Sequence, residues 1–438
     1  MPFRRTVSRR AVAYPPGRLG KIVPRRARAS TGRKAIFDPV HGAIALDARA
    51  LALVSTPEFQ RLWGIRQTGF AHLVFPGANH TRLEHSLGTY WVASRLAERL
   101  ELDPRDADHL TTGALLHDLG HGPFSHTLDV PMREVLGYGH EALSRQLIVG
   151  QAAASHLPDV LRRHGLVPSE VAELVDPRRA RSPSWLGSVL HGAIDADRID
   201  YLQRDAHYTG VAHGAIDAVR LLDTIRVVAG QLVFAEKGRS AVEGFLVGRA
   251  LMYSSVYFHK TVRAAEMMVQ GAVERQPGYP ESARAVFRWT DGELLARLEG
   301  VTGVSGDLVR GLLERRLYKR AHGWRELDHR SLARWRRLNH RPAERRALED
   351  EIAGRLRAPA GAVLIDLAGV EVRGDPVDDW AEVGVFAGRR VTYPFRGSGE
   401  WQALVHRPPA DWPVSVYVLP RLRGAAARLL ERDPGFLP

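Results

Sequence analysis

The sequence predicts a mainly α-helical domain followed by a smaller lobe that mixes helices and strands. Apolar residues recur at helical spacing through most of residues 35–276, as in amphipathic helices packed around a core. After residue 277 the composition shifts, and helical, arginine-rich segments give way to β-rich ones. With 438 residues the chain is long enough for two or three domains. We therefore divide it into a tail (1–34), a helical domain (35–276) and an α+β lobe (277–438).

Caps and breakers predict where the elements begin and end. Thr56 can cap a helix that begins at residue 57, and Gly120 and Pro123 end the helix that precedes them. In the helical domain the predicted helices are 57–67, 84–100, 105–118, 185–208 and 239–273, with a hairpin at 226–234. In the second lobe the predicted helices are 307–320, 343–357 and 422–430, and the predicted strands are 362–373, 380–386 and 414–419.

The composition excludes several classes of protein. The chain has no cysteine, so disulfides, a thiolate nucleophile and zinc–thiolate sites are excluded, and any metal must be held by histidine and carboxylate. Its apolar runs are far shorter than the roughly 18 residues that a membrane span needs, and no secretory signal pattern is visible. These features predict a cytoplasmic enzyme without a membrane partner.

The positive charge is concentrated at the N-terminus. Residues 1–34 carry eleven basic and no acidic residues, whereas the rest of the chain carries 51 basic and 49 acidic ones. We expect this tail to be disordered. Two interpretations stay open: a solvated tail without a partner, and a weak contact with nucleic acid.

One segment of the sequence, LLHDLGHGPFSH, is dense in possible metal ligands. It places His117, Asp118, His121 and His126 within ten residues, directly after an apolar run and among Gly and Pro breakers. The breakers let the backbone fold back, so that imidazoles after the helix can approach those at its end. This pattern favours a metal site over a purely structural role.

Two further segments supply candidate ligands for the same site. Arg82 and His85 are one helical turn apart, so both point the same way. In IDADRIDYLQRD the polar residues Asp197, Tyr201 and Asp205 recur every fourth residue, a pattern that by itself is typical of a solvent-exposed helix face. Two histidines and two carboxylates suit a divalent metal that keeps positions open for water and phosphate oxygen.

The order of these motifs resembles the H…HD…D signature of the HD-domain metal-dependent phosphohydrolases. The segments FDPVHGAIAL, TPEFQRLWGIRQTG, VFPGANHTRLEHSLG, HDLGHGPFSH and DRIDYLQRDAHYTG are similar to the deoxynucleoside triphosphate triphosphohydrolases, both dGTPase-like and SAM-and-HD-domain members. The similarity covers roughly residues 35–275, and ERRLYKR (314–320) is a weaker match in the second lobe. The resemblance implies an HD-domain helical phosphohydrolase core with a smaller C-terminal α+β lobe.

The resemblance also implies roles for individual residues. The metal ligands would be His85, His117, Asp118 and Asp197. The catalytic residues would be His121 and the acid–histidine pair Asp129 and His140. The substrate-binding residues would be Arg82, His126, Arg198 and Lys260 at the phosphates, Tyr201, Asp205 and Gln67 at the sugar, and Arg249 and Tyr257 in the nucleotide pocket. The metal would be a divalent ion, one of Mn, Fe, Mg, Co, Ni or Zn.

The sequence departs from the family at the activator site. In relatives activated by GTP, an acidic residue and an arginine grip guanine, but here Ser55 and Trp63 occupy those positions, and Thr68 replaces a leucine beside Gln67. We therefore expect that GTP is not an obligatory activator.

The expected activity is metal-dependent hydrolysis of a deoxynucleoside triphosphate at the α-phosphorus, which releases tripolyphosphate and a deoxynucleoside. Only the resemblance specifies that bond, because the residues alone indicate metal-dependent phosphoester hydrolysis. Two alternatives stay open: an HD phosphohydrolase that acts on a monophosphate or a modified or biosynthetic nucleotide, and a nucleic-acid-binding HD protein. The resemblance further implies a homo-oligomer, either a dimer or a tetramer.

Overall fold

A computed structural model describes residues 34–152, 155–177, 185–325, 327–367, 369–370, 381–396 and 413–432. The fold over these residues is mainly helical with small sheets, as the sequence predicts. Most of the predicted tail, residues 1–33, lies outside the described residues. No helix among the described residues is both long enough and apolar enough to cross a bilayer.

The helices are given in two groups, those before residue 277 and those after it. The first group is α1 (Ala48–Val54), α2 (Pro57–Gln60), α3 (Arg82–Arg99), α4 (Pro104–Leu116), α5 (Asp129–Leu136), α6 (His140–Val149), α7 (Leu157–Arg163), α8 (Pro168–Val175), α9 (Ser188–His191), α10 (Ala196–Thr209), α11 (Ala218–Thr224), α12 (Arg239–Met252) and α13 (Lys260–Glu274). The second group is α14 (Asp291–Glu299), α15 (Val304–Leu313), α16 (His329–Asn339), α17 (Pro342–Arg355) and α18 (Arg423–Arg432).

Nine short strands form three sheets in the described part of the chain. The strands are β1 (Lys34–Asp38), β2 (Gly42–Leu46), β3 (Ile225–Val228), β4 (Gln231–Ala235), β5 (Lys319–Trp324), β6 (Val363–Asp366), β7 (Gly384–Ala387), β8 (Arg390–Thr392) and β9 (Val414–Val418). Their orders are β1-β2, β3-β4-β7-β8 and β5-β9-β6. All neighbouring strands are antiparallel except β4 and β7, which pair in parallel.

The predicted hairpin at 226–234 is confirmed, but the sequence reasoning missed another. In the predicted hairpin, Ala229 and Gly230 both have positive φ, which matches the twist of a tight two-residue turn. The missed hairpin, β1–β2, pairs Lys34 with Leu46 and turns near Gly42. Its strands of five residues are too short to give a clear alternation, and Lys34 belonged to the predicted tail.

Three long predicted helices are wrong in their continuity, each for a local reason. Segment 57–67 is α2 followed by a 3-10 turn, Arg61–Gly64, because Ile65 becomes extended and its carbonyl accepts from the amide of Arg82. Segment 185–208 breaks at Gly192, and Asp195 caps a new helix by accepting from the amide of Arg198. Each of these two segments is therefore divided into shorter helical elements instead of forming one continuous helix.

The predicted helix 239–273 is also interrupted. α12 passes into a π-helical turn, Tyr253–Tyr257, and the His259 side chain then caps α13 by accepting from the amide of Thr261. A π-turn adds a residue to the turn and is frequent at functional sites. The helix predicted at 307–320 ends early at Leu313, where Arg315 has a left-handed φ of 57° and the chain enters β5.

The remaining predicted elements agree with the structure over the residues it describes. The predicted helices 84–100, 105–118, 343–357 and 422–430 correspond to α3, α4, α17 and α18, and the strand 414–419 corresponds to β9. Strand 362–373 is β6 only at 363–366, and strand 380–386 is β7 from residue 384. Residues 368, 371–373 and 380 of those predicted strands lie outside the described residues.

The sheet β5-β9-β6 is packed on both faces. Leu364 and Tyr417 face the large core that also contains the apolar side of α13. Their neighbours Val363, Ile365 and Val416 face a separate apolar cluster under α16, α17 and α18. The large core thus contains residues from both sides of residue 276, while the division of the chain at that position stays a prediction.

A buried network of charges joins α13 and α17. The guanidinium of Arg345, only 3% exposed, donates to both carboxylate oxygens of Glu274 at 2.6 and 2.5 Å and to Glu349 at 2.8 Å. Arg275 donates to the other oxygen of Glu349 at 2.9 Å. Arg346, the neighbour of Arg345 on α17, contacts Glu134 of α5 at 3.2 Å. Each buried charge therefore has a partner of opposite sign.

We expect Arg345→Met to destabilise the protein by about 3–5 kcal/mol, because it removes the buried cation that contacts both oxygens of Glu274 and one oxygen of Glu349. Denaturant-induced unfolding of the full chain measures this change. The matched control is Arg341→Met at the start of the same helix, where an exposed pair with Glu344 contributes about 0–1 kcal/mol. Equal losses for the two variants would contradict the assigned role of the buried network.

Candidate active site

Three helices bring the four predicted metal ligands together. His85 lies on α3, one turn after a capping box formed by Thr81 and Glu84. His117 caps the C-terminal end of α4, and Asp118 follows it. Asp197 lies in the first turn of α10, directly behind the capping Asp195. Because α3 packs against both α4 and α10, the ends of these helices meet at one point.

Both histidine rings present a buried nitrogen to this point. The Nδ1 atom of His117 lies 2.8 Å from the carbonyl of Ala114, and the Nδ1 atom of His85 lies 2.7 Å from the carboxylate of Asp200. When each Nδ1 donates its proton there, Nε2 carries the lone pair. Neither Nε2 atom has a hydrogen-bond partner among the described residues, although both are buried.

Carboxylate oxygens surround the two nitrogens. The Nε2 atom of His85 is 2.9 Å from Oδ1 of Asp197, without hydrogen-bond geometry, and 3.7 Å from Oδ2 of Asp118. The Nε2 atom of His117 is 3.2 Å from Oδ1 of Asp118 and 3.7 Å from Oδ1 of Asp197. One ligand atom from each of His85, His117 and Asp118 lies within 4.8 Å of the others. The donor set fits a divalent cation that prefers imidazole and carboxylate.

The pKa values of the candidate metal ligands are set by burial and by the charged groups that lie close to them. Burial lowers the pKa of His85, but Asp197 and Asp200 outweigh it and raise that pKa to about 10. Burial opposes ionisation of Asp118, but Arg82, His117 and His121 hold its pKa well below the usual value. Protons and a cation compete for the same nitrogens, so metal binding must become tighter as the pH rises.

The orientation of His85 depends on Asp200, which sequence reasoning missed. Asp200 is fully buried and accepts from His85, from Nε and Nη2 of Arg204 at 2.9 and 3.0 Å, and from Nε2 of His41 at 2.6 Å. Arg204 also donates to Asp38 at 2.6 Å, and His41 stacks on Trp91. The motif FDPVHG contains Asp38 and His41, so the sequence carried a signal for this support.

A second group of predicted catalytic residues lies beside the first. The imidazole of His121 stacks on that of His140 with centroids 3.8 Å apart, and its Nε2 atom lies 3.2 Å from Oδ1 of Asp118. His140 contacts Asp129 at 3.2 Å, and His126 lies 3.8 Å from the other oxygen of Asp129. His126 is the exposed member of this group, with 70% of its side chain accessible.

The stacked histidines have opposite proton affinities. Burial, reinforced by the charges of Arg82 and His140, holds the pKa of His121 well below its ordinary value. Burial also lowers the pKa of His140, but Asp129 outweighs it and the net pKa is raised. The pKa of Asp129 is held well below the usual range, chiefly by His140 against the effect of burial. His121 is therefore neutral beside an ion pair.

Arg82 connects the metal ligands with this second group. Its guanidinium is buried, contacts the carboxylate of Asp118 and donates to Ser125 Oγ at 2.8 Å. The remaining nitrogen lies 3.3 Å from Nε2 of His126. The guanidinium of Arg82 is thus fixed between Asp118, a predicted metal ligand, and His126, a predicted phosphate ligand.

The sugar-binding residues predicted on α10 belong to a cluster of polar side chains further along that helix, which we call the polar pocket because it is the predicted sugar site. Asp205 lies 2.7 Å from Nε2 of His80 and accepts from the hydroxyl of Tyr257 at 2.5 Å. The amide of Gln67 donates to the carbonyl of His80, and Oε1 of the Gln67 side chain is buried without a partner among the described residues. Asp205, Tyr257 and Gln67 are thus joined through His80.

Arg249 and Tyr201 meet on the same side of α10. Arg249 Nε donates to the Tyr201 hydroxyl at 3.3 Å, and its guanidinium lies over the ring of Tyr253 at 5.2 Å. Tyr253 in turn contacts Tyr257 edge to face. Burial and the neighbouring Arg249 act in opposite directions on Tyr201, and burial dominates, so the pKa of its hydroxyl is raised. Arg249 therefore lies against the aromatic side chains of Tyr201 and Tyr253.

Two predicted phosphate ligands lie at the edge of this arrangement. Arg198 donates to the carboxylate of Asp195 at 3.2 Å and is half-buried. Lys260 is exposed and begins α13 after the break at His259, so it does not lie on one continuous helix with Arg249 and Tyr257, as the predicted helix 239–273 would require. The π-turn that separates them had no signal in the apolar pattern.

Ser55 and Trp63, which differ from the family at the activator site, are exposed. The Ser55 hydroxyl is exposed and donates to the carbonyl of Leu51 at 2.8 Å, so it is engaged within its own helix end. Trp63 is 56% exposed, a large fraction for an indole ring. Thr68 Oγ1 is buried without a partner among the described residues.

We expect Asp200→Ala to weaken Mn²⁺ binding by about 10- to 100-fold, because His85 loses the contact that orients its ring. Isothermal titration of the metal-stripped protein measures this, with His117→Ala as the variant that removes a ligand and abolishes binding. The control Asp223→Ala changes an exposed aspartate and should bind as wild type does. Wild-type affinity in Asp200→Ala, with the fold intact by circular dichroism, would contradict the assignment.

Two protein families match the chain. Residues 82–205 match the HD domain, and residues 216–428 match the HD associated region. An uncharacterized protein of Methanocaldococcus jannaschii is 40% identical over 247 residues, which are 56% of this chain and 50% of that protein. An uncharacterized protein of Bacillus subtilis is 38% identical over 271 residues, 60% of this chain and 58% of that protein. The chain spans about half the length of these curated relatives.

Proteins with a named activity also match. The human deoxynucleoside triphosphate triphosphohydrolase SAMHD1 is 30% identical over 284 residues, 57% of this chain and 45% of that protein. A crystal structure of a hypothetical protein from Aquifex aeolicus covers 91% of this chain with a TM-score of 0.68 and 25% identity. A phosphohydrolase from Bacteroides thetaiotaomicron covers 88% with a TM-score of 0.68 and 24% identity, a likeness in fold alone. From these matches and its helical fold, the chain contains an HD domain followed by an HD associated region, and it is similar to the HD phosphohydrolases.

Proposed function

We propose that the protein hydrolyses deoxynucleoside triphosphates to deoxynucleosides and tripolyphosphate with a divalent metal. The observation that carries the proposal is the sharing of helix α10 by two sites. Asp197 at its start belongs to the candidate metal centre, whereas Tyr201 and Asp205, one and two turns later, line the polar pocket. A nucleotide whose sugar lies in the pocket would therefore present its phosphates to the metal centre and to His121.

The metal centre supplies the electrophilic part of the chemistry. When bound by His85, His117, Asp118 and Asp197, a divalent cation polarises a phosphoryl group and lowers the pKa of a bound water. Neutral His121, whose Nδ1 atom is buried without a partner among the described residues, is available to hold or accept a proton at that atom.

The charged side chains offset the charge of the triphosphate. Arg82, His126, Arg198 and Lys260 are the proposed phosphate ligands. The guanidinium of Arg82 is already fixed by Asp118 and Ser125, so its position needs no rearrangement when charge develops. Phosphoryl transfer depends chiefly on positioning and electrostatics, which is what these groups supply. The Asp129–His140 pair adds a fixed dipole beside His121.

The polar pocket would select the sugar. Asp205 and Gln67 are proposed to read the 3′-hydroxyl, since a carboxylate accepts from it and an amide both accepts and donates. Tyr257 donates to Asp205 and fills space beside the sugar, while Arg249 and Tyr201 lie toward the rest of the nucleotide. Human SAMHD1, named a deoxynucleoside triphosphate triphosphohydrolase, is 30% identical over 284 residues and supports this choice of substrate class.

A different HD substrate is the second candidate, because the relatives from M. jannaschii and B. subtilis are uncharacterized and share higher identity than SAMHD1 does. The other expectations stay proposals as well: a dimer or tetramer, a cytoplasmic location, and weak nucleic-acid contact through residues 1–34.

Incubation with each dNTP and Mn²⁺, Mg²⁺, Co²⁺ or Fe²⁺ should yield deoxynucleoside and tripolyphosphate in equal amounts, because water attacks the α-phosphorus and its bond to the 5′-oxygen of the sugar breaks. Ion-exchange chromatography of the products separates tripolyphosphate from orthophosphate and pyrophosphate. His117→Ala serves as the control for contaminating phosphatase. Orthophosphate alone, or turnover only of monophosphates, would favour the second candidate.

The Asp129→Asn variant should move the alkaline limb of the pH–rate profile to lower pH. The carboxylate raises the pKa of His140, so removing its charge lets His140 lose its proton at a lower pH. The measurement is kcat/KM against pH for both proteins, with the exposed Asp159→Asn as control. A limb that stays in place would show that protonated His140 is not needed.

GTP should not be an obligatory activator of dNTP hydrolysis. Ser55 and Trp63 cannot make the two charge-assisted contacts of GTP-activated relatives, and losing two such hydrogen bonds, at roughly 1.5–3 kcal/mol each, weakens a site by about a hundredfold or more. The measurement is hydrolysis at low substrate across a GTP titration. An enzyme that is silent without GTP and active at micromolar GTP would contradict this expectation.

A further inference from the structure

The segment that carries His121 and His126 contains a residue in an unusual backbone conformation. Phe124 has a φ of 46°, in the left-handed region that favours glycine, although it is a large residue and 1% exposed. Its ring stacks on Phe70 with centroids 4.3 Å apart and planes 7° apart. Such a conformation persists only where the surroundings hold it in place, and it is common at functional sites. We refer to residues 119–126 as the histidine loop.

Asp291 holds the centre of the histidine loop from the second lobe. Its Oδ1 atom accepts from the amide of Phe124 at 2.9 Å, and its Oδ2 atom accepts from the amide of Arg66 at 3.0 Å. The side chain is 2% exposed, so both contacts are shielded from water. Although Asp291 begins α14, the cap of that helix is formed by Thr290 and Glu293. The carboxylate of Asp291 is thus free to bind two amides outside its own helix.

Arg61 holds the first part of the same loop. Its Nη2 atom donates to the carbonyls of Leu119 at 2.8 Å and His121 at 2.6 Å, and its Nη1 atom donates to the carbonyl of Trp289 at 3.3 Å. The loop therefore receives contacts from Arg61, which is itself held by the Trp289 carbonyl, and from Asp291. The backbone on both sides of His121 is fixed by these contacts.

We propose that Asp291 is a positioning residue that fixes the histidine loop, so that the second lobe sets the placement of His121 and His126 in the proposed reaction. Asp291 touches neither the metal ligands nor the polar pocket in the contacts of the described residues. Its effect is expected on the turnover step rather than on binding of metal or nucleotide. The inference about turnover rests on the proposed function, whereas the inference about loop order does not.

The first measurement is hydrogen exchange of the full-length protein, followed by mass spectrometry of peptides that cover the loop. Asp291→Ala removes both acceptors, and Asp291→Asn keeps the shape of the side chain but retains only one acceptor oxygen. We expect exchange in residues 119–126 to become at least about tenfold faster in Asp291→Ala and to increase less in Asp291→Asn. The control is Asp307→Asn, an exposed residue in the first turn of α15, which should exchange as wild type does.

The second measurement is steady-state kinetics on the dNTP that the wild type hydrolyses. We expect kcat to fall by about 100-fold in Asp291→Ala, as for a catalytic group misplaced by about 1 Å, while KM changes by less than about threefold. Mn²⁺ affinity, measured by titration, should stay near that of the wild type because His85 and His117 lie outside the loop. Phe124→Gly, which tolerates the left-handed φ without holding the loop, should lower kcat in the same way.

The outcomes separate the two proposals. Unchanged loop exchange in a folded Asp291→Ala protein, or wild-type kcat in Asp291→Ala and Asp291→Asn, overturns the positioning role. If Asp291→Ala does not fold, Asp291→Asn and Phe124→Gly decide by the same criteria. A wild type that hydrolyses no dNTP refutes the proposed substrate class, and loop exchange still decides whether Asp291 holds the histidine loop.

Discussion

The buried carboxylate of Asp200 is the contact on which the geometry of the metal centre depends. It accepts from the His85 ring on α3 and is itself held by Arg204 on α10 and by His41. A single anion thus ties the N-terminal hairpin region to the two helices that carry ligands. The arrangement has a physical cost, because a buried charge must be fully paired, and here every oxygen has a donor. The ligand nitrogen of His85 then has one direction in which to point.

The sequence was sufficient to predict the candidate ligands that the fold brings together, and insufficient to predict the residues that hold them in place. Metal ligands are residue types with a distinctive spacing, so His117 and Asp118 were visible in a short string, and α3 and α4 followed from apolar periodicity. Continuity was predicted poorly, because the π-turn at Tyr253 and the break before Asp195 depend on caps and tertiary contacts that periodicity does not encode. The supports Asp200 and Asp291 are ordinary aspartates in the sequence, and only their partners across the fold distinguish them.

The second lobe contributes to the site although it supplies none of the predicted metal ligands. Its Asp291 accepts from the amide of Phe124, its Trp289 accepts from Arg61, and its Arg346 contacts Glu134 on α5, the helix that begins with Asp129. Of the predicted catalytic residues, His121 lies on a loop, and Asp129 and His140 each begin a helix, where the backbone has unsatisfied groups. Asp291 satisfies one amide of that loop, so the chain after residue 276 forms part of the scaffold of the site.

The charge network around Arg345 has a consequence for how the chain can be divided or recombined. A fragment that stops at residue 276 would keep Glu274 but lose Arg345, and it would keep Glu134 but lose Arg346. Glu274 and Glu134 would then lose arginine side chains that neutralise them in the intact protein. The apolar side of α13 would also lose its contacts with the sheet β5-β9-β6. Exchange of lobes between homologues would need matched arginine and glutamate positions on both sides. The parts of the chain before and after residue 276 are therefore expected to be inherited together.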